Sequence, residues 1–306
     1  MKLHHFRNVV AIAEQGSLRA AARSMRIAQP ALTRSLSELE RELGAPLFER
    51  RARGMVLTPI GHAFVRRASA VLNEVSRARD EVNQLKGGSS GSVTVGLSIA
   101  PHISMLPRSL RPFRTQYPDI RMHVIEGFYP TLESDLRNGS IDFYVGPAPD
   151  DALADELLQE KLFDNTRTVL CRKNHPLAKA RSLRELADAE WATTSITSLA
   201  EDELKSLFES YGLAAPRLIL RSQSALTLIV MLAHTDLLAM VPRQWKDFAP
   251  MAGVLAAINV QEQLPAPAIV LIRRRDVPLT PAAGYLATLL SRLVPAPSRP
   301  RRPLLT

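Results

Sequence analysis

The chain has 306 residues, of which 46% are apolar and 23% charged, a globular composition that excludes intrinsic disorder and predicts about two domains. Its one cysteine, Cys171, excludes an internal disulfide and a cysteine-based zinc cage. The formal net charge is +9, and residues 1–90 hold 15 Lys/Arg against 8 Asp/Glu, so most of the excess is N-terminal. Such clustering favours a nucleic acid over a membrane as the partner.

The first ten residues lack an apolar stretch followed by a small-residue cleavage site, so we expect no secretory signal. The most apolar segment, residues 225–241, is interrupted by His234, Thr235 and Asp236 and is shorter than the roughly 20 apolar residues of a membrane span. We therefore expect a cytoplasmic protein, associated with nucleoid DNA and without membrane contact.

The first elements in chain order predict a helix-turn-helix. Apolar residues recur at helical spacing from Leu3 up to Gly16, and Ser17 caps a second helix that has a face of small residues. A turn at 26–28 leads to a third helix from about residue 29 to 43, with Pro30 in its first turn. Its outer face carries side chains that bind base edges or phosphates when a recognition helix enters the major groove, namely Gln29, Thr33, Arg34 and Ser37.

Residues 48–57 predict a basic hairpin beside the three helices. Gly54 turns the hairpin, Val56 and Leu57 anchor its return, and the basic side chains are Arg50, Arg51 and Arg53. Solvated basic loops are common, but adjacency to a helix-turn-helix favours a wing that contacts phosphates or the minor groove.

A long helix follows, capped by Thr58 and with Pro59 in its first turn. Its apolar residues keep a 3.5-residue repeat for about three heptads, through Phe64, Ala68, Val71, Val75, Ala78, Val82 and Leu85. A core helix packed on its own domain would give a similar pattern, but the length of the heptad seam favours a coiled coil between two subunits.

The helical pattern stops at Gly87, and residues 87–92 read Gly-Gly-Ser-Ser-Gly-Ser. This segment also matches G-x-S-x-G, with Ser89 in the position of a hydrolase nucleophile. That motif needs a strand before it and a helix after it, whereas here a helix precedes and a strand follows. We therefore interpret the segment as a hinge.

Beyond the hinge, short apolar stretches alternate with amphipathic ones, which is the pattern of an α/β domain. The predicted strands are 93–97, 122–125, 141–145, 168–171, 218–220, 237–241 and 269–272. The length allows either one domain or two lobes joined by crossover strands, and periodicity leaves both open.

A series of short motifs runs through the chain and identifies a family. The N-terminal ones are Gly16-Ser17-Leu18, Ala21-Ala22, Gln29-Pro30-Ala31, Thr33-Arg34, Leu39-Glu40, Leu43-Gly44, Leu47-Phe48-Glu49-Arg50 and Leu57-Thr58-Pro59-Ile60-Gly61. Weaker ones are Gly139-Ser140-Ile141-Asp142, His175-Pro176-Leu177 and Met240-Val241-Pro242. The order and spacing of these motifs resemble those of the LysR-type transcriptional regulators. Ala28 and Thr33 stand where the family often has serine, which puts operator preference in doubt but leaves DNA binding as expected.

The resemblance implies an α plus α/β architecture and a ligand-responsive regulator of transcription. The expected parts are a winged helix-turn-helix (1–58), a linker helix that forms a dimerisation coiled coil (59–87), a hinge (88–92), a two-lobed effector-binding domain like a periplasmic binding protein (93–298) and a basic tail (299–306). Lobe I would comprise about 93–162 and 267–298, and lobe II about 163–266. The expected partners are a dyad-related DNA operator, a second copy of the chain in a homodimer that pairs into a homotetramer, and RNA polymerase as a further candidate.

The DNA-binding set is then Ser17, Gln29, Pro30, Thr33, Arg34, Ser37, Arg50, Arg51 and Arg53. Ligands in open α/β sheets bind beyond the carboxyl ends of strands, which indicates an effector site at Ser98, Ala100, Pro101, His102, Phe128, Tyr129, Gly146, Pro147, Thr197, Ser198, Ser222 and Ser224. Hydroxyls and helix N-termini suit an anion, although a serine in such a place is as often a helix cap. Segments 127–130, 233–238 and 276–281 are similar to those of LysR-type regulators of aromatic sulfonate degradation, which suggests an aromatic acid.

Catalysis is the main alternative. Cys171 and His175 could form a nucleophile and a base, but no orienting partner is evident, so we expect no catalytic residue, no metal and no cofactor. A solute-binding protein or α/β enzyme without DNA activity would explain residues 92–298 equally well. This alternative would not explain the basic head, the wing or the heptad helix.

Overall fold

The computed structural model describes residues 1–52, 54–88, 90–194 and 199–293. A helical head, a long helix and an α/β body follow one another in the chain. The head contains α1 (Leu3–Gln15), α2 (Leu18–Ser24), α3 (Gln29–Leu43), β1 (Phe48–Arg51) and β2 (Gly54–Leu57), and the long helix is α4 (Pro59–Leu85). Within the described ranges, no helix combines the length and the apolar character that crossing a membrane requires.

The helices of the head pack around a shared apolar core. Ile12 of α1, Ala21 of α2 and Leu32 and Leu39 of α3 are fully buried in it. Ser17 caps α2 by accepting a hydrogen bond from the Ala20 N–H at 3.0 Å, as the sequence predicts. The expected helix-turn-helix is confirmed.

The two strands of the wing pair antiparallel, with Phe48 opposite Leu57. The wing is attached to the head because the Met55 N–H donates to the Gly16 carbonyl at 2.8 Å. Alternation along β2 turns Met55 and Leu57 towards the core of the head and leaves Val56 41% exposed. The prediction that Val56 anchors the wing is therefore wrong, and Met55 takes that place.

Gly61 lies where the start of α4 passes the chain at residue 47. A Cβ atom at Gly61 would lie 2.0 Å from the Leu47 carbonyl oxygen, and the Thr58 N–H donates to the same oxygen at 3.0 Å. Gly61→Ala must push these two backbone segments apart, so we expect it to lower the free energy of unfolding of the head by about 1–3 kcal/mol. The measurement is urea unfolding followed by circular dichroism.

Gly284 is the matched control, because it also lies inside a helix, α10 (Pro281–Arg292), but its added Cβ would meet no atom closer than 4.0 Å. Gly284→Ala is expected to stabilise the protein by about 0.5–1 kcal/mol through helix propensity. Equal effects of the two substitutions would contradict the close approach at Gly61.

Lobe I is a five-stranded sheet with helices on both faces. Its strand order is β4 (Ile120–Glu126), β3 (Gly91–Leu97), β5 (Phe143–Pro147), β12 (Ile269–Arg274) and β6 (Leu157–Phe163). Strands β4, β3 and β5 run parallel, and β12 is antiparallel to both of its neighbours. One face packs on α5 (Ile99–Ser104), α6 (Leu106–Gln116) and α10, and the other on α7 (Tyr129–Arg137).

Lobe II repeats this layered arrangement. Its strand order is β11 (Leu255–Ile258), β7 (Arg167–Arg172), β10 (Leu238–Pro242), β8 (Glu190–Thr194) and β9 (Arg217–Ser222). The helices on its two faces are α8 (Leu199–Ser210) and α9 (Ala225–His234). The two-lobed expectation is confirmed, and the alternative of one continuous α/β domain is wrong.

Two crossover segments join the lobes and lie side by side. The chain leaves lobe I after β6 and returns before β12, and Thr166 forms an isolated antiparallel bridge with Pro265 between the crossovers. The Arg167 N–H donates to the Leu264 carbonyl at 2.9 Å. These segments place Asn165, Arg167, Ala266 and Pro267 on the wall of the interlobe cleft.

Three strands were not predicted from the sequence. Strand β6 mixes Gln, Glu and Lys with its leucines, β8 is half threonine and alanine, and the centre of β11 is Ala256-Ala257. None of these has a strong period-2 pattern of large apolar residues, and their burial comes from tertiary packing. The structure also starts β3 at Gly91, two residues before the expected start of the effector-binding domain.

Helix α4 is attached to lobe I of its own chain by charged contacts. The Arg77 guanidinium lies 2.9 Å from the Asp142 carboxylate, and it also donates to the carbonyls of Gly139 (2.9 Å) and Ile141 (3.1 Å). Asp142 accepts a second hydrogen bond from the Thr94 N–H at 2.7 Å. A further ion pair, at 2.5 Å, joins Glu74 of α4 to Arg274 of β12. Residues 74–77 therefore connect the long helix directly to the lobe I sheet.

Candidate functional sites: a basic helical face and an interlobe cleft

The outer face of α3 carries the predicted recognition residues. Gln29, Pro30, Arg34 and Ser37 are exposed and Thr33 is half-buried, while Leu32, Leu36 and Leu39 on the opposite face are buried. The helix begins without a side-chain cap at Ala28, as the sequence predicts, and Pro30 occupies its first turn. Thr33 donates its hydroxyl to the Gln29 carbonyl at 3.0 Å.

Ser17 was predicted to contact DNA, but its hydroxyl is already engaged as the cap of α2. The Ser17 hydroxyl is therefore not free to bind DNA. A DNA contact at Ser17 would instead use the backbone N–H groups at the start of α2, which can bind a phosphate.

The acidic side chains of α3 are held away from this face. The Glu40 carboxylate accepts hydrogen bonds from the Leu47 N–H (2.7 Å) and the Phe48 N–H (3.3 Å), and Glu42 pairs with the N-terminal ammonium group at 2.5 Å. Glu38 lies 4.0 Å from the ring of His5. The carboxylates of Glu40 and Glu42 are therefore engaged by backbone N–H groups and by the N-terminus.

In the wing, Arg50 and Arg51 are exposed, and Arg51 pairs with Glu49 at 3.0 Å. This exposed pair is weak, since solvent screens it, and a phosphate can displace the glutamate. Arg53, also predicted to bind DNA, lies outside the described residues.

The heptad residues of α4 divide into two groups. Phe64 packs into the head, where it stacks on Phe6 at a ring distance of 5.8 Å. Ala68 is fully buried within its own chain, so the prediction of a subunit contact is wrong for Ala68. The remaining heptad residues form a stripe that the chain leaves exposed or half-buried, namely Val71, Val75, Ala78, Val82 and Leu85.

A cavity of about 290 Å³ lies between the two lobes. Five of the predicted effector residues line it, namely Ser98, Ala100, Phe128, Tyr129 and Pro147. Lobe II contributes Thr193, Thr194 and Met240, and the crossovers contribute Asn165, Arg167 and Pro267. Two further predicted residues, Thr197 and Ser198, lie outside the described residues.

The cavity contains a cluster of buried hydroxyl groups. Ser98, Tyr129 and Tyr144 are each more than nine-tenths buried. The Tyr144 hydroxyl lies beside the Ser98 hydroxyl and the Tyr129 hydroxyl beside Glu133, but none of the three reaches full hydrogen-bond geometry within the described part of the chain. Burial raises the pKa of Tyr129 to about 12 and raises that of Tyr144 further, so both phenols are neutral at physiological pH. Buried unpaired hydroxyls carry a desolvation penalty, which a bound polar group would remove.

Gly146, predicted to contact the effector, acts indirectly. A Cβ atom there would lie 1.9 Å from the Tyr144 hydroxyl oxygen and 3.0 Å from the Ser98 Cβ. The missing side chain is therefore what allows the Tyr144 and Ser98 hydroxyls to approach each other.

Besides Gly146, four predicted effector residues do not lie on the cavity wall. Pro101 and His102 are further along α5, where the rotation of the helix turns them away from its first residues. Ser222 exchanges hydrogen bonds with the Ser224 backbone, and the Ser224 hydroxyl accepts from the Thr227 N–H at 3.3 Å and caps α9. The helix-cap interpretation therefore applies to Ser224, while Ser222 holds the turn before it.

Sequence reasoning missed the crossover residues Asn165 and Arg167 and the α8 residue Glu203. The Arg167 guanidinium pairs with the Glu203 carboxylate and donates to the Pro265 carbonyl at 2.6 Å. The available signal was a charged residue at the start of an apolar strand, Arg167-Thr168-Val169, whereas the prediction considered the carboxyl ends of strands.

Cys171 and His175 do not form a catalytic pair. The thiol of Cys171 is buried against the Ala256 carbonyl at 3.6 Å, and burial raises its pKa to about 11. Both ring nitrogens of His175 bond to backbone groups, Nδ1 to the Leu177 N–H and Nε2 to the Asp236 carbonyl, each at 3.0 Å. Within the ranges that the structure covers, no group of three His, Cys, Asp or Glu residues is arranged to hold a metal ion.

Comparison with protein families gives two matches that together span most of the chain. Residues 3–62 match the model "Bacterial regulatory helix-turn-helix protein, lysR family", and residues 86–294 match the "LysR substrate binding domain".

Individual proteins are similar to this chain over 80% or more of its length. The regulator GbpR of Azospirillum brasilense is 28% identical over 286 residues, covering 92% of this chain and 84% of GbpR. GbpR of Rhizobium radiobacter is 31% identical over 250 residues, covering 80% and 83%. The solved structure of full-length CbnR in complex with its target DNA has a TM-score of 0.71 at 21% identity and covers 96% of this chain and all of CbnR.

Proposed function

Since the chain belongs to the LysR family and is thus a ligand-responsive regulator of transcription that binds DNA, we propose how its residues divide this work. The face of α3 with Gln29, Thr33, Arg34 and Ser37 reads the operator, and the wing with Arg50, Arg51 and Arg53 holds the flanking backbone. The effector binds between the lobes. The observation that carries the proposal is an exposed polar and basic helix face on the same chain as an interlobe cavity lined by buried hydroxyl groups.

The proposed division between reading and holding follows from side-chain chemistry. The Arg34 guanidinium can form two hydrogen bonds with a guanine edge, the Gln29 amide can pair with an adenine, and the Thr33 methyl group suits a thymine. Pro30 and Ser17 lie at the starts of α3 and α2, where they fit the backbone beside the groove.

We propose that two subunits pair through α4. The exposed part of its heptad stripe runs from Val71 to Leu85, and side chains with 41% (Val71), 52% (Val82) and 72% (Leu85) exposure are poorly placed in an isolated chain. A second copy would bury them in a coiled coil, and a two-fold dimer requires a dyad-related operator. Assembly of dimers into tetramers is part of the same proposal.

Effector binding would shift the equilibrium between arrangements of the lobes, provided that the effector binds one arrangement more tightly. The Arg77–Asp142 and Glu74–Arg274 contacts connect lobe I to α4, so a movement of lobe I would also move α4 and the attached heads. The site of action is proposed to be the cytoplasm, on nucleoid DNA, with RNA polymerase as the further partner.

Selection from a random duplex library with the full-length protein tests the proposal. We expect enrichment of an inverted repeat, together with affinity that falls steeply as salt rises, because lysines and arginines displace condensed counterions. The dimer is measured on the same sample by analytical ultracentrifugation.

The matching control is the same protein mixed with duplexes from the unselected pool, which should bind weakly and without a preferred sequence. A monomer that binds no duplex at low ionic strength would contradict the proposal and would favour the solute-binding alternative.

A further inference from the structure

The charged residues of the cavity wall are mostly acidic. The described lining contains the carboxylates of Glu133, Asp150, Asp151 and Glu203 against the guanidinium of Arg167. An anionic effector would therefore enter a negative potential, contrary to the anion that the sequence suggests.

The cation on this wall is already engaged. Arg167, with its side chain 17% exposed, binds the Glu203 carboxylate and the Pro265 carbonyl. A ligand carboxylate that took the place of Glu203 would leave that carboxylate partly buried beside an anion, which is strongly unfavourable.

The N-terminus of α8 is not a free anion site either. Glu201 and Asp202 occupy its first turn, and their negative charges already interact favourably with the helix dipole. A ligand anion here would be repelled by both carboxylates.

The hydroxyl groups buried in the cavity wall are neutral. Those of Ser98, Tyr129 and Tyr144 can each donate and accept a hydrogen bond. The carboxylates have partners or solvent, since Glu133 pairs with Arg137 at 3.6 Å, Glu203 pairs with Arg167, and Asp150 and Asp151 are exposed. The other described residues of the wall are uncharged: Thr131, Asn165, Thr193 and Thr194 are polar, and the apolar ones, including Ile99, Phe128 and Met240, would desolvate a charged ligand.

From these observations we infer that the effector is an uncharged molecule with hydroxyl groups, which Ser98, Tyr129 and Tyr144 bind, and that carboxylates are rejected. The inference rests on the proposal that the interlobe cavity is the effector site. It replaces the anionic effector expected from the sequence and leaves room for an aromatic ring against Phe128.

Two sets of matched ligands test the charge. One contains benzyl alcohol, benzoate and benzylamine, and the other a hexose, its uronic acid and its 2-amino derivative. Isothermal titration into the full-length protein should give the neutral member of at least one set an affinity about tenfold or more above that of its charged relatives. A carboxylate that binds as tightly as the neutral compound overturns the inference, and so does the failure of both neutral compounds to bind.

Variants separate the contributions to recognition. Tyr144→Phe removes one hydroxyl and should weaken binding of the neutral ligand about three- to tenfold, whereas Tyr117→Phe, in the lobe I core, should not. Glu203→Gln frees Arg167, so the protein should gain affinity for the carboxylate. An unchanged affinity of Tyr144→Phe for the neutral ligand overturns the role of the hydroxyl.

DNA binding by the same samples distinguishes the two proposals. If the protein prefers the carboxylate but still binds its selected duplex, the inference of a neutral effector is wrong and the proposed function is retained. If duplex binding is also absent, the proposed function fails with it.

Discussion

Arg34→Glu is expected to lower affinity for the selected operator by at least about a hundredfold in a mobility-shift assay. Removal of a bidentate base contact accounts for about 1–3 kcal/mol, and the new carboxylate adds repulsion from the neighbouring phosphates. The side chain is exposed and both residues are good helix formers, so the head should remain folded, which its circular dichroism melt would verify.

Arg114→Glu is the matched control, since Arg114 is an exposed helical arginine on α6 of lobe I, apart from the head. It makes the same change in net charge and should leave operator affinity nearly unchanged. If both variants lose affinity equally, the effect reflects total charge and Arg34 has no specific role in the groove.

Arg77→Met is expected to lower the free energy of unfolding by about 3–5 kcal/mol, because it leaves the Asp142 carboxylate buried without its cation. Both side chains are mostly buried, with Arg77 13% and Asp142 9% exposed. Urea unfolding followed by circular dichroism measures the loss. Methionine keeps the length of the side chain and the helix propensity, so loss of packing should be small.

The pH dependence of this variant follows from Asp142. Burial already raises the pKa of this carboxyl in the native chain, and removal of the Arg77 charge raises it further. The folded variant then binds the Asp142 proton more tightly than the unfolded chain does. The contribution of Asp142 to the free energy of unfolding is therefore greatest below about pH 4, the ordinary carboxyl pKa, and is lost as pH rises through the raised pKa. Part of the loss should therefore be recovered on acidification.

Two controls accompany this variant. Arg66→Met, at an exposed position of the same helix, should change stability by no more than about 0.5 kcal/mol. Asp142→Asn in the Arg77→Met background removes the uncompensated charge and should restore part of the stability. A destabilisation that the asparagine does not relieve would indicate lost packing as its cause.

The head could be predicted from the sequence because its signals are local. Helical spacing, the Ser17 cap, Pro30 and the run of arginines each depend on residues a few positions apart, and the structure forms the elements that they indicate. The position of Arg34 follows from the same periodicity, since the leucines that are three or four residues apart fix the buried face of α3.

The cavity could be predicted in part. Its lobe I side lies at strand ends that apolar stretches reveal, which brought Ser98, Phe128, Tyr129 and Pro147 into the prediction. Ser222 and Ser224 carry the same local signature, but Ser224 caps α9 and Ser222 bonds to the Ser224 backbone, away from the cavity. A hydroxyl after a strand is equally suited to both roles, so local sequence cannot separate them.

The sequence by itself determined that this protein has a basic helix-turn-helix head, a wing, a heptad helix and an α/β body, because each is specified by residue spacing within a short segment. The tertiary structure decided which heptad residues face the head, which strands join which lobe, and that Arg167 and Glu203 meet in a cavity with an acidic wall. These features depend on contacts between residues distant in the chain, and the energy of a buried charge or hydroxyl is set by the neighbours that folding brings to it.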